Sequence, residues 1–262
     1  MQDLAITIVQ STLYWQDAEA NLAMFEEKIW QIKGPTDVIV LPEMFNTGFT
    51  MATHACAEHS NGRTFRWMKQ MAAQTGAVVI GSFIVNDQGA FYNRLFWVEP
   101  DGTFAYYDKR HLFRMAEEHH HFNAGNTMLI RNWKGWNICP MICYDLRFPV
   151  WSRNYLIEGR PAYDMLIYIA NWPDSRISAW ENLLKARAIE NLSYVIGVNR
   201  VGKDGNNILY NGSSTFIDPK GGVLWEKKEK ETIKTLTLEA NTLIAFREKF
   251  PALLDADRFK IQ

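Results

Sequence analysis

The chain has 262 residues, of which 47% are hydrophobic and 22% charged, and this composition excludes intrinsic disorder for most of its length. Lysines and arginines total 28 against 29 aspartates and glutamates, so the net charge of −1 offers no broad attraction to nucleic acid. We expect a single domain over residues 1–262, because single α/β domains often reach this length.

Cysteine usage and the first residues indicate a cytoplasmic protein. Three cysteines are too few for a disulfide framework, which is typical of a reducing compartment. The N-terminal stretch contains the acidic Asp3 and lacks a basic flank, so it does not resemble a signal peptide. The longest apolar stretch, at 76–85, is too short to cross a bilayer. We therefore expect neither a membrane nor a nucleic-acid partner.

Predicted strands and helices alternate along the chain. In chain order they are a strand at 4–9, a helix at 17–33, a strand at 37–41, a helix at 64–75, strands at 77–85, 91–98, 103–107 and 136–142, a helix at 150–158 that ends at Gly159, a strand at 165–170, a helix at 178–192, and strands at 194–199, 213–217 and 223–225. Short apolar strands separated by helices predict parallel pairs covered by helices, which is the α/β class. The charged run at 226–231 predicts a solvated hairpin tip or strand end.

Two charged side chains follow predicted strands, where the sites of α/β proteins collect. Glu43 comes two residues after the strand at 37–41 and could act as a general base, although a glutamate there could also cap a helix or lie on the surface. Lys109 follows the strand at 103–107 and could stabilise an oxyanion, although it could also be a solvated lysine of a basic turn.

Cys143 directly follows the predicted strand at 136–142 and precedes a helix. A thiol at such a turn lies near helix amides, which lower its pKa and make it a better nucleophile. The alternative is a buried, inert cysteine. Cys139 lies inside the strand and is predicted to pack there, and Cys56 is predicted to lie in a loop without a role.

The sequence favours neither a metal nor an organic cofactor. Three consecutive histidines, at 119–121, rarely serve one ion, because adjacent side chains of a strand point to opposite faces, and no zinc-ligand spacing is present. Phosphate-binding glycine motifs and the serine-hydrolase elbow are also absent. A cysteine–histidine hydrolase that uses Cys143 with His111 stays open at this point.

The three strand ends taken together resemble the nitrilase superfamily of carbon–nitrogen hydrolases. The residues that carry the resemblance are Leu-Pro-Glu at Glu43, the Tyr-x-Lys-x-His-Leu block at Lys109, Cys-Tyr-Asp-Leu-Arg-Phe-Pro from Cys143, and Asn-Trp-Pro from Asn171. The resemblance extends from the first strand to about Pro219. It implies a four-layer α-β-β-α sandwich, a homodimer formed across helices, and no cofactor.

The resemblance also implies roles for individual residues. Glu43 is the expected base, Lys109 the oxyanion stabiliser and Cys143 the nucleophile, with the backbone N–H of Tyr144 as a second oxyanion donor. Glu118 lies seven residues before Gly125, as the second glutamate of the family does, and is expected to position the substrate and Lys109.

Within the superfamily, Lys-Arg-His-Leu-Phe and Cys-Tyr-Asp-Leu-Arg-Phe-Pro are most similar to bacterial ω-amidases. This similarity implies hydrolysis of the terminal amide of small dicarboxylate monoamides, namely 2-oxoglutaramate, 2-oxosuccinamate and succinamate. Another amidase or a carbamoylase of the superfamily is the alternative, and a third reading is a non-enzymatic interaction protein. The intact Glu43, Lys109 and Cys143 argue against that third reading.

An ω-amidase must also bind the distal carboxylate of its substrate. Arg147 and Arg176 are the candidates, because a guanidinium binds a carboxylate through two parallel hydrogen bonds, although Arg147 could instead pair with Asp145. The remaining candidates for the substrate pocket are aromatic side chains, namely Phe45, Tyr144 and Trp172.

Overall fold

Two large β-sheets form the centre of the molecule in the computed structural model, which describes residues 1–257 and 259–260. The strands of the first sheet are β1 (Leu4–Gln10), β2 (Val38–Val40), β3 (Glu58–His59), β4 (Val78–Asp87), β5 (Ala90–Val98), β6 (Phe104–Asp108) and β16 (Thr232–Leu238). The strands of the second sheet are β7 (Arg131–Trp133), β8 (Trp136–Ile142), β11 (Met165–Ile169), β12 (Tyr194–Val198), β13 (Val201–Lys203), β14 (Leu209–Ile217) and β15 (Val223–Lys228).

Helices cover the outer faces of the two sheets and connect the strands. They are α1 (Ala18–Trp30), α2 (Thr53–Cys56), α3 (Arg63–Thr75), α4 (Glu118–His121), α5 (Pro149–Ser152), α6 (Ile177–Asn191) and α7 (Ala240–Lys249). Among the described residues, no helix has both the length and the apolar character that crossing a bilayer requires.

The strand β2 separates two apolar layers. Val38 and Val40 belong to the core between the sheets, whereas Ile39 packs in a second core with Phe25 of α1 and Met68 of α3. Because side chains alternate along a strand, a strand with apolar neighbours on both faces needs the continuous apolar run that its sequence has.

Helix α6 covers the outer face of the second sheet. Trp180 and Leu184 pack into the same buried cluster as the strands of this sheet. Gly197 of β12 permits the approach, because a Cβ atom there would lie 2.6 Å from Leu184 Cδ1 and 2.8 Å from Trp180 Cζ2. Helices α1 and α3, the two sheets and α6 form the α-β-β-α sandwich that the resemblance implied.

The pairing directions bring several strand ends to one place. In the first sheet, β1, β2 and β4 are parallel, and β6 runs in the same direction because it is antiparallel to β5, which is antiparallel to β4. In the second sheet, β8 and β11 are parallel, with Ile142 opposite Ile169. The residues that follow these strands therefore leave the sheets at neighbouring carboxyl ends.

The predicted helix at 150–158 is wrong beyond its first turn. Helix α5 ends at Ser152, and the chain then forms the hairpin of β9 (Leu156–Ile157) and β10 (Arg160–Pro161), with Gly159 in the turn. Asn154 explains the early end, because its buried amide donates to the backbone oxygens of Tyr163 and Asn191 instead of following a helix. The other predicted elements are present, with ends shifted by a few residues.

The charged run at 226–231 lies where the chain crosses from one sheet to the other. Strand β15 pairs with β14 of the second sheet and ends at Lys228, whereas β16 pairs with β1 of the first sheet. The strand-end prediction is thus confirmed and the hairpin tip is wrong. The sequence interpretation missed β16 and α7, which follow this crossing.

Glu231 fastens this crossing to the first sheet. Its Oε1 accepts hydrogen bonds from the Thr12 backbone N–H at 2.8 Å and from Ser11 Oγ at 3.0 Å, and its Oε2 accepts from Lys28 Nζ at 2.9 Å. Burial opposes ionisation, but the Thr12 and Lys28 donors outweigh it and lower the pKa of Glu231 to about 2.

We expect Glu231→Gln to lower the free energy of unfolding at pH 7 by about 1 kcal/mol, because a partly exposed carboxylate loses charge-assisted bonds. Since the folded-state pKa is depressed, this stabilisation is complete above the ordinary value of 4.5 and disappears as the pH falls to about 2. Urea titrations across this pH range, with the exposed Glu229→Gln as control, check the expectation. A deficit that persists at the lowest pH, or an equal deficit in both variants, would contradict it.

Candidate active site

Residues that follow β2, β6, β8 and β11 meet around one cavity of about 490 Å³. Lys109, Cys143 and Asn171 line it, and Glu43 lies beneath them with no exposed surface. The cavity therefore joins side chains of both sheets at their carboxyl ends, as the positions of the candidate residues predicted.

Glu43 is held by donors from three other segments. Its Oε1 accepts hydrogen bonds from Lys109 Nζ at 2.9 Å and from Asn93 Nδ2 at 2.8 Å. Its Oε2 accepts the backbone N–H of Asn171 at 2.8 Å, and Asn171 Nδ2 donates to the Glu43 backbone oxygen at 2.5 Å. The surface-loop and helix-cap interpretations of Glu43 are thus wrong.

Lys109 forms a buried ion cluster with two carboxylates. Its Nζ lies 3.0 Å from both carboxylate oxygens of Glu118 in addition to Glu43. Burial alone would lower the pKa of Lys109, but the charges of Glu118 and Glu43 outweigh it and raise that pKa above its ordinary value. Lys109 is therefore a buried, charged lysine rather than a solvated one.

Glu118 is fixed from the backbone as well. Its Oε2 accepts the Phe113 N–H at 2.6 Å, and the residue before it, Glu117, has a left-handed φ of 57°. Burial raises the pKa of Glu118, and the charge of Glu43 adds to this, against the opposing charge of Lys109. The expected contact between Glu118 and Lys109 is thus present.

Gly125 explains how the segment after Glu118 returns to Lys109. Its backbone N–H donates to the Lys109 backbone oxygen at 3.0 Å. A Cβ atom at this position would lie 2.2 Å from the backbone oxygen of Asp108, so only glycine permits the approach.

Cys143 lies at the turn from β8 into a short 3₁₀ segment, Cys143–Arg147, and its φ of 43° is left-handed. Such a backbone conformation is strained for a residue with a side chain and is concentrated at functional sites. Its Sγ lies 4.0 Å from the backbone oxygen of Asn171. The predicted position at a strand-to-helix turn is confirmed.

The predicted low pKa of Cys143 is wrong. Burial raises the pKa of its thiol well above the ordinary value, the negative charges of Glu43 and Glu118 add to this, and only Lys109 opposes them. One ammonium faces two carboxylates, so a thiolate would add a second net negative charge to a buried cluster. The short 3₁₀ turn does not offset that repulsion.

Asp145 anchors the turn that carries Cys143. This fully buried carboxylate accepts hydrogen bonds from Tyr107 Oη at 2.7 Å, from the backbone N–H groups of His111 and Ile142 at 3.0 and 3.1 Å, and its Oδ1 lies 2.8 Å from His111 Nδ1. The same network ties the turn to the residues around Lys109. The His111 ring stacks on Phe148 and, within the described part of the chain, neither lines the cavity nor forms a hydrogen bond with Cys143, so the structure does not support a cysteine–histidine pair.

The upper wall of the cavity carries aromatic rings and two guanidinium groups. The Arg147 guanidinium lies 5.0 Å from the centre of the Trp172 ring, and that of Arg176 lies 5.2 Å from the Phe113 ring. Within the described part of the chain, neither arginine forms an ion pair with a carboxylate. The predicted pairing of Arg147 with Asp145 is therefore wrong.

Comparisons with known proteins agree with this geometry. Residues 5–248 match the family model described as carbon-nitrogen hydrolase. The chain is 46% identical to "Omega-amidase YafV" of Escherichia coli, over 100% of both chains, and 32% identical to the "2-oxoglutaramate amidase" of Bacillus subtilis, over 95% and 96% of the two chains. A crystal structure of a CN-hydrolase superfamily protein of Xanthomonas campestris, with an arsenic adduct in its active site, matches with a TM-score of 0.97 and 43% identity over 100% of both chains.

The chain belongs to the carbon–nitrogen hydrolase family. It is a hydrolase that acts on carbon–nitrogen bonds, which confirms the family that the three strand ends predicted.

In this carbon–nitrogen hydrolase the predicted pocket residues divide into two groups. Tyr144, Arg147, Trp172 and Arg176 all line the cavity. Phe45 does not: it is fully buried on the other side of the first sheet, where its ring centre lies 5.6 Å from that of Phe25 and 5.7 Å from that of Trp67. The left-handed φ of 42° at Met44 lies between Glu43 and Phe45, and the next aromatic residue, Phe49, lines the cavity instead.

The consecutive histidines belong to α4, not to a strand, and Glu118 is the first residue of that helix. Over residues 1–257 and 259–260, no three histidine, cysteine, aspartate or glutamate side chains converge as metal ligands would. Cys139 is buried within β8, as predicted, and Cys56 ends α2 instead of lying in a loop.

Sequence reasoning missed Asn93 and gave no role to Asn171, although both bind Glu43. The Asn-Trp-Pro motif could have pointed to Asn171, because it follows a strand as Glu43 and Cys143 do. Asn93 lies inside β5, where a single polar residue gives no comparable signal.

We expect Cys143 to titrate above the ordinary thiol value of 9.0, because ionisation places a second net negative charge in the cluster. The ultraviolet thiolate absorbance of the substrate-free protein, with that of Cys143→Ala subtracted, measures this directly. Glu118→Gln removes one of the negative charges and is expected to lower the apparent pKa. A thiolate already formed at neutral pH would contradict the charge argument.

Proposed function

We propose that this carbon–nitrogen hydrolase is an ω-amidase, which hydrolyses the terminal amide of small dicarboxylate monoamides to the acid and ammonia. The expected substrates are 2-oxoglutaramate, 2-oxosuccinamate and succinamate. The observation that carries the proposal is the shared cavity, which places Cys143 and the Lys109 cluster together with two guanidinium groups that have no carboxylate partner among the described residues. The names of the Escherichia coli and Bacillus subtilis relatives support it.

In the proposed acylation, Glu43 accepts the Cys143 proton while the sulfur attacks the amide carbon. The sulfur therefore carries no charge once it is bonded to the carbon, because its proton has moved to a carboxylate of the same buried cluster. The charge of Lys109 and the Tyr144 backbone N–H stabilise the oxyanion. Glu43 then gives the proton to the amide nitrogen, the carbon–nitrogen bond breaks, and ammonia leaves a thioester on Cys143.

In the proposed deacylation, Glu43 takes a proton from a water molecule that attacks the thioester. The carbon–sulfur bond breaks, the sulfur regains a proton from Glu43, and the acid is released. Glu118 keeps the Lys109 ammonium in place through both steps. The residues named here need no metal or organic cofactor for either half-reaction.

We assign the distal carboxylate of the substrate to Arg147. Its guanidinium lies over the Trp172 ring and has no carboxylate partner among the described residues, and a guanidinium can bind a carboxylate through two parallel hydrogen bonds. Arg147 also belongs to the same 3₁₀ segment as Cys143, so the distance between nucleophile and carboxylate site is set by one turn of backbone. Arg176, which follows Trp172 in the sequence, is the alternative.

We expect ammonia release from 2-oxoglutaramate and succinamate, and its loss in Cys143→Ala, because the thioester requires the sulfur. Butyronitrile and N-carbamoyl-β-alanine serve as control substrates in the same assay. Turnover of a control alone would keep the nucleophile but replace the ω-amidase assignment with a nitrilase or a carbamoylase. No turnover of any of the four compounds would contradict the proposal.

We expect Arg147→Met to raise KM for succinamate about 10- to 100-fold, the size of a lost charge-assisted contact, and to leave butyramide hydrolysis nearly unchanged. Butyramide lacks the distal carboxylate, so it separates carboxylate binding from damage to the cavity. Arg176→Met is the matched variant, since its guanidinium also lies over an aromatic ring. A larger carboxylate-dependent effect in Arg176→Met would move the assignment to that residue.

We further propose a homodimer. The apolar side chains of Val150, Tyr155 and Leu254 are exposed and line one groove, which is the kind of surface that a second copy covers. The cytoplasmic location and the single domain over residues 1–262 stay predictions.

A further inference from the structure

The two carboxylate oxygens of Glu43 have different environments. Oε1 accepts two hydrogen bonds, from Lys109 Nζ at 2.9 Å and from Asn93 Nδ2 at 2.8 Å. Oε2 accepts one, from the Asn171 backbone N–H at 2.8 Å. Since each carboxylate oxygen has about two lone-pair directions, Oε1 is fully engaged and Oε2 keeps one direction free.

Asn171 links Oε2 to the nucleophile. Its backbone N–H binds Oε2, and its own backbone oxygen lies 4.0 Å from Cys143 Sγ. Asn171 is also fixed in place, because its side-chain Nδ2 donates to the Glu43 backbone oxygen at 2.5 Å. One residue, which follows β11 of the second sheet, thus contacts both Oε2 and Sγ.

Asn93 is placed to control this asymmetry from the first sheet. It is fully buried in β5, and its backbone oxygen accepts the Lys109 N–H at 3.0 Å. Asn93 therefore positions both donors to Oε1: its own side-chain amide directly, and Lys109 through the backbone hydrogen bond. Asn93 does not line the cavity, so it has no direct route to the substrate.

We propose that Asn93 is a positioning residue that acts through Glu43: with Lys109 it occupies Oε1 and thereby makes Oε2 the oxygen that takes the Cys143 proton. The inference rests on the proposed role of Glu43 as base. The other charged or titratable groups around this carboxylate are Lys109, Glu118 and Cys143.

Alkylation of Cys143 by iodoacetamide tests the proposal without requiring hydrolysis. The carbon–sulfur bond forms as iodide leaves, and the thiol proton passes to Glu43, so the rate at a fixed pH depends on whether the accepting oxygen is in place. Mass spectrometry follows Cys143 separately from Cys56, which is a reference thiol in the same chain. Glu43→Gln establishes how much of the rate depends on the base.

In Asn93→Ala we expect the alkylation rate of Cys143 at pH 7 to fall about 3- to 10-fold, because loss of one hydrogen bond to Oε1 leaves the carboxylate less well positioned. Asn46→Ala is the matched control, because Asn46 is also fully buried but donates to Thr64 Oγ1, at 3.0 Å, instead of to Glu43. Asn93→Ser, which keeps a polar atom in the buried site, carries the same expectation if Asn93→Ala fails to fold.

An alkylation rate that falls in the Asn93 variants and not in Asn46→Ala supports the proposal. Equal rates in the two sets, with lower stability only, would overturn it and reduce Asn93 to a structural residue. The ammonia assay separates this result from the function: absence of hydrolysis in the wild-type protein would contradict the ω-amidase assignment, whereas the alkylation rate reports on Asn93 in either case. With an active wild-type protein, Asn93→Ala should lower kcat and leave KM unchanged.

Discussion

One buried ammonium between two buried carboxylates is the interaction on which the site depends. Lys109 is 1% exposed, and Glu43 and Glu118 have no exposed surface, so all three charges have lost their hydration. Such a cluster is tolerated only where hydrogen bonds satisfy the remaining oxygens, and the amides of Asn93, Asn171 and Phe113 supply them. Loss of Lys109 would leave two like charges facing each other without compensation.

The sandwich makes this cluster possible, because its parts come from different sheets. Glu43, Asn93 and Lys109 follow or belong to strands of the first sheet, whereas Cys143 and Asn171 follow strands of the second. Glu43 forms hydrogen bonds with residues of both sheets, so the position of the base relative to the nucleophile is fixed only when the sheets are packed. Preorganised charges of this kind need no rearrangement at the moment of reaction, which is the physical advantage of placing them on rigid strand ends.

The sequence was informative where a local pattern determines position. The end of a strand determines where the next side chain leaves the sheet, so the sequence alone predicts Glu43, Lys109 and Cys143 at one edge. Phe45 could not, since the direction of its side chain depends on the left-handed turn at Met44. Asn93 and the contacts of Asp145 join segments far apart in the chain, and residue spacing carries no information on such contacts. The helix predicted at 150–158 failed for a similar reason, because the partners of Asn154 include Asn191.

The nucleophile shows how a correct position can lead to a wrong electrostatic inference. A strand-to-helix turn suggests a thiolate, yet burial and two carboxylates raise the pKa of Cys143, and one lysine does not reverse this. A thiol that stays protonated at rest reacts slowly with oxidants, since oxidation proceeds through the thiolate. Attack then requires Glu43 to receive the proton while the sulfur bonds to an electrophile in the cavity. The same repulsion that weakens the free nucleophile therefore makes the reactivity of Cys143 depend on Glu43.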